Sequence, residues 1–119
     1  MDTKALDKAL QEIVKKREEL DKIDYNNPKY DELEEQLHDL EDAFQDDFGE
    51  YIEEALQEIH DEYCADNDIL MPIAYLGKGV FVEAEKFPGK ETRLILAAAP
   101  TRIILSIGND KQEVVWTAK

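Results

Sequence analysis

An α+β fold is predicted for this 119-residue chain, and three observations predict it. Apolar residues recur at helical spacing through the first 68 positions and at strand spacing through the rest. Charge divides at the same place: residues 1–68 hold 24 acidic and 7 basic side chains, whereas residues 69–119 hold 5 and 7. The connectors of the second half are three or four residues long, too short for parallel crossovers. The expectation is an N-terminal two-helix hairpin with a long second helix, packed on a C-terminal four- or five-stranded antiparallel β-meander. A chain of this length forms one domain, with 1–68 as an acidic helical layer and 69–119 as a sheet layer.

Asp2 or Thr3 caps the first helix, which runs to about Ile23. Leu6, Leu10, Ile13, Arg17 and Leu20 fall on one stripe beside Ala9 and Val14, and Arg17 can bury its stem while its head stays wet. Asp24-Tyr25-Asn26-Asn27-Pro28 then stops one helix and starts another, with Asn26 or Asn27 as the cap and Pro28 in the first turn. From Pro28 to about Cys64 the spacing of Leu33, Leu37, Leu40 and Phe44, then Phe48, Ile52, Leu56, Ile59 and Tyr63, is again helical, with a phase shift near Phe48. A straight helix of that length spans about 55 Å at 1.5 Å per residue, more than the roughly 35 Å width of a compact domain of this size. It must bend, break or protrude. A kink or interruption is therefore expected at Gly49, the weakest helix former in the run.

Asp66-Asn67-Asp68 reads as the turn out of the second helix, since it lacks the Gly and closing Glu of a calcium loop. Strands are expected at 70–76, 80–85, 92–98, 102–107 and 113–117. The connectors are Gly77-Lys78-Gly79, Phe87-Pro88-Gly89-Lys90, Ala99-Pro100-Thr101 and Gly108-Asn109-Asp110-Lys111, and Pro72 assigns the first strand to the edge. Leu94, Leu96 and Ala98 share a face with Ile103, Leu105 and Ile107, while Arg93, Ile95, Ile104 and Trp116 make a second, partly apolar face. One helical layer does not cover both faces, so either the second helix curls around the sheet or a second subunit contributes. A homodimer is expected. Tyr25, Tyr30, Tyr51, Tyr63, Tyr75, Phe81 and Trp116 are expected to line the core and its rims.

The net charge of −15 argues against direct nucleic-acid or anionic-membrane binding, because phosphate contacts require clustered cations. The single Cys64 excludes an intramolecular disulfide framework and fits a reducing compartment. The opening Met1-Asp2-Thr3-Lys4-Ala5 carries no apolar run, and no stretch approaches the roughly 20 apolar residues that cross a bilayer, so a cytoplasmic protein is expected. Catalytic signals are absent. Cys64 stands near a helix C-terminus among Asp61, Glu62, Asp66 and Asp68, where dipole and charge oppose a thiolate, and Ser106 has no elbow motif. Gly77-Lys78-Gly79 lacks the spacing of a phosphate-binding loop, and no cofactor is expected.

The most unusual segment is 31–68, with 17 acidic residues and no Lys or Arg. Such a field favours a basic protein surface as partner, met through Asp39, Asp42, Asp46, Glu50, Glu53 and Glu54. The rival is a metal-dependent enzyme or metal-binding protein using Glu35, His38 and Asp42: Glu35-Gln36-Leu37-His38 has the Glu-x-x-His spacing of helical metal sites, but only one copy of it. In size, charge and α+β build the chain resembles small acidic bacterial DNA-mimic proteins, without a shared motif. That resemblance implies an inhibitor of a DNA-binding protein in which carboxylates stand in for phosphates.

Overall fold

The computed structural model describes residues 2–108 and 110–119. Helix α1 spans Thr3–Asp21, and the Asp2 carboxylate caps it by accepting the Lys4 and Ala5 backbone N–H groups. Leu6, Leu10 and Ile13 are buried along the expected stripe. Arg17 does more than keep its head wet: Nη2 lies 3.0 Å from Glu41 on the second helix and also donates to the Ile73 carbonyl. Helix α2, Tyr30–Tyr63, begins two residues beyond Pro28. Asn27 shapes that turn instead of capping the helix, its Oδ1 accepting the Lys29 N–H at 2.9 Å.

Helix α2 runs for 34 residues without interruption through Gly49. The expected break is absent for a local reason. Gly49 is buried beneath the Gln45 side chain, which occupies the space a Cβ would need and reaches Glu53 at 3.0 Å. The length is accommodated by shape, for the molecule measures 47 × 33 × 23 Å. Its radius of gyration of 15.2 Å exceeds the ~13.5 Å of a compact domain of this size.

Residues 70–76 form no strand. Pro72–Tyr75 is a single 3-10 turn that begins at proline, whose fixed φ and missing N–H suit a helical first turn better than a ladder. Its apolar residues Pro72, Tyr75 and Leu76 are buried all the same. Gly77-Lys78-Gly79 therefore joins this turn to the sheet and is not a hairpin turn. The sheet has four antiparallel strands in the order β1 (Val80–Val82), β2 (Thr92–Ala97), β3 (Arg102–Ile107) and β4 (Lys111–Thr117). The edge strand is β1, shorter than expected because the next backbone donors leave the ladder: Glu83 N–H goes to Asn67 Oδ1 and Glu85 N–H to the Tyr63 carbonyl. The β1–β2 loop is correspondingly longer than Phe87–Lys90. Strand β4 starts at Lys111, inside the expected Gly108–Lys111 connector, of which Asn109 lies outside the described residues, as does Met1.

Both helices lie on one face of the sheet, where Leu6, Leu10, Phe44, Ile52 and Leu56 join Val82, Leu94, Leu96, Ile103, Leu105 and Ile107 in one core. Trp116 belongs to this covered face, paired with Ile103 and packed 5.6 Å from the Tyr51 ring, and not to the outer one. An irregularity between Ile103 and Ile104 inserts Val115 as an extra residue and shifts the alternation of β4. On the outer face Phe81 and Val114 stay 63% and 54% exposed, so Phe81 is not a core residue. Nor is Tyr25, which stacks 5.1 Å from Tyr30 on the surface.

Candidate docking surface

At 100° per residue, Asp39, Asp42, Asp46, Glu50, Glu53 and Glu54 fall within about a third of the circumference of α2. Leu37, Phe44, Ile52, Leu56 and Ile59 occupy the opposite side and are buried. All six carboxylates are thereby set along one outward ridge, exposed except for half-buried Glu53. From Asp39 to Glu54 the ridge rises about 22 Å. Neighbours three and four residues apart repel one another by a few tenths of a kcal/mol each, so packing on the other side holds the helix.

Cations do little to neutralise this ridge. Among the described residues three ion pairs form, Lys16–Glu19, Arg17–Glu41 and Lys86–Glu62, and only Glu41 and Glu62 belong to α2. Glu53 accepts from Gln45, whose own Oε1 is buried without a hydrogen-bond partner. Along one flank an open cleft of about 580 Å³ separates His38, Asp42 and Asp46 from Met71 and Ile73. Met71 is 53% exposed, which sets an apolar step beside the carboxylates.

The metal candidates lie on the same helix as the ridge. Glu35, His38 and Asp42 are all exposed on α2, and among the described residues no group of three or more His, Cys, Asp or Glu side chains is arranged to hold a metal ion. His38 faces solvent at the mouth of the cleft.

Sequence reasoning passed over a buried polar centre at His60. His60 is 2% exposed and Tyr75 fully buried, with His60 Nε2 3.0 Å from the Tyr75 hydroxyl and Nδ1 3.1 Å from the Asn67 carbonyl. A carbonyl only accepts, so Nδ1 carries the proton and Nε2 accepts from Tyr75 O–H, an assignment made from the network. The same hydroxyl accepts the Leu70 N–H at 3.1 Å. Each polar group of this hydrogen-bonded network has its partner, and both rings are buried. The centre closes the segment between α2 and the 3-10 turn; it offers no room to a substrate. Its partners Asn67 and Tyr75 lie downstream of α2, so no pattern within the helix marks His60. Burial and Glu85 push the neighbouring Cys64 thiol above its ordinary range, and burial does the same to the Tyr75 hydroxyl, against the Leu70 hydrogen bond. Cys64 is buried and free.

A second polar anchor ties α1 to the β2–β3 hairpin. Asp7 Oδ1 accepts from Ala99 N–H and Thr101 Oγ1, both at 2.9 Å, and Oδ2 accepts from Gln11. Partial burial raises its pKa, but these hydrogen bonds together outweigh that and hold the carboxyl below the ordinary aspartate range.

No helix is long and apolar enough to cross a membrane among the described residues. No family model matches the chain, and neither curated proteins nor solved structures show significant similarity to it.

Proposed function

We propose that this is a non-enzymatic interaction module whose α2 ridge, formed by Asp39, Asp42, Asp46, Glu50, Glu53 and Glu54, docks a basic protein surface. One observation carries the reading: a segment without a single Lys or Arg is held as an unbroken helix, so its carboxylates are set in a row along one outward side. A row of this kind matches an extended cationic surface and accelerates encounter with it, whereas catalysis needs convergence. The buried histidine offers no competing active site.

Ridge neutralisation tests it. A variant carrying Asp39→Asn, Asp42→Asn, Asp46→Asn, Glu50→Gln and Glu54→Gln keeps every apolar contact of α2. Affinity capture with wild type is expected to recover a partner at low salt that both this variant and high salt release. Identical recovery by wild type and variant refutes the reading.

One further observation favours DNA mimicry as the form that docking takes. Helix α2 carries fifteen carboxylates over its 34 residues, which at 1.5 Å per residue is about one per 3.4 Å, the axial charge density of a single strand of B-DNA. Mimicry predicts that the partner is a DNA-binding protein and that duplex DNA competes for it. A simple docking module shows no such competition.

A further inference from the structure

The outer face of the sheet lacks a covering layer, and its make-up is unlike that of the helical side. Alternation through the ladders brings Phe81, Arg93, Ser106 and Gln112 together at one level and Ile95, Ile104 and Val114 at the next. The Arg93 guanidinium lies 5.8 Å from the Phe81 ring centre and donates to the Lys78 carbonyl. Arg102 occupies one end of the strands, opposite Ala97. At the other end Gly108 N–H donates to the Glu91 carbonyl at 2.7 Å, which extends the β2–β3 ladder by one pair and puts Glu91 in step with Arg93 on this face. The face therefore carries exposed Phe81 and Val114 on its two outer strands, with Arg93, Ser106 and Gln112 interleaved among Ile95 and the buried Ile104, a cation at one end and a carboxylate at the other.

We propose that this face is the contact between two copies of the chain, related by a two-fold axis running across the strands. Such an axis reverses strand direction from one copy to the other, so Arg102 of each lies toward Glu91 of the second, while the level of Phe81 and Arg93 in each meets the level of Ile95 and Val114 in the other at the centre. Surfaces related in this way must be complementary to themselves, and opposite charges at the two ends of the face satisfy that condition. The whole-molecule charge agrees. Sheet-to-sheet packing sends both acidic helices to the far sides, separated by several Debye lengths at physiological ionic strength, whereas contact through α2 would press like charges together.

Size sets the strength. Three strands of about six residues and the three-residue β1, about 4.8 Å apart and about 3.3 Å per residue, give a patch near ~330 Å² per copy, roughly two fifths of the 800 Å² of a standard interface. The dimer is accordingly concentration-dependent, in the micromolar range or weaker.

Analytical ultracentrifugation of the full chain, from about 1 μM to 1 mM, tests this. A monomer–dimer equilibrium is expected, with a dissociation constant that is unchanged or tighter in high salt, opposite in sign to docking on α2. Phe81→Lys and Val114→Lys, both at exposed positions, are each expected to weaken dimerisation tenfold or more with circular dichroism unchanged. Because each lowers the net negative charge, added repulsion between whole molecules does not explain such a loss. Glu91→Arg is expected to weaken it and Glu91→Arg with Arg102→Glu to restore it. A monomer at every concentration, a dimer that survives both lysine substitutions, or a double swap no better than the single one overturns the proposal. The ridge-neutralised variant still dimerises if the proposal holds, which keeps its failure distinct from a failure of docking.

Discussion

The Tyr75 hydroxyl serves two partners at once, giving its proton to His60 and accepting one from Leu70. Tyr75→Phe leaves the ring packed but orphans a buried ring nitrogen and a backbone N–H, which costs about 1–3 kcal/mol. Urea unfolding is expected to show that loss with an unchanged m-value. Asp7 makes a pH-dependent contribution of known sign. Its pKa is lower in the folded than in the unfolded chain, so the hydrogen bonds from Ala99 and Thr101 stabilise the fold above the unfolded value and are lost as pH falls through the folded one. Asp7→Ala is therefore expected to cost about 1 kcal/mol near pH 7, tempered by solvent screening, and clearly less near pH 2 in paired denaturation curves. Cys64, buried and with its thiol pushed up, is expected to react with thiol reagents only at the rate at which the chain opens.

At the scale of elements, Gly49 is the residue to test. The three nearest atoms to a Cβ built there all belong to the amide end of Gln45, a flexible group that can swing away. Gly49→Ala adds up to about 1 kcal/mol of helix propensity and gives up the Gln45–Glu53 hydrogen bond, so a net stabilisation of a few tenths of a kcal/mol is expected in thermal unfolding. What was legible at this scale follows from physics. The 3.6-residue period of α1 and α2 was plain because one side of each is buried along its whole length. The 102–107 strand was plain because Arg102–Ile107 is central, with a partner on either side. Residues 70–76 were misread since an apolar, β-prone run looks alike whether it joins a ladder or docks on a helix, and the buried Tyr75 hydroxyl that decides the matter has its partners elsewhere in the chain. Trp116 was placed on the wrong face because one extra residue, Val115, reverses strand parity, and nothing local in Val-Val-Trp announces it. The ridge could be read directly, since its residues share a single helix; the His60 centre could not, since it assembles from α2, a loop and a turn.

For the whole molecule the governing asymmetry is acidic helices on one side and a bare, mixed sheet face on the other. Added salt screens carboxylate repulsion along α2 while leaving the core untouched, so the melting temperature is expected to rise between about 20 mM and 300 mM salt. The length of α2 has a hydrodynamic counterpart. A helix of about 50 Å can lie only close to the 47 Å dimension of this molecule, so its amide bonds point near the slowest axis of tumbling. Nuclear spin relaxation should therefore give α2 a longer apparent correlation time than segments whose amide bonds point elsewhere, even where both are equally rigid, a difference of orientation that a reader of such spectra would otherwise mistake for one of motion.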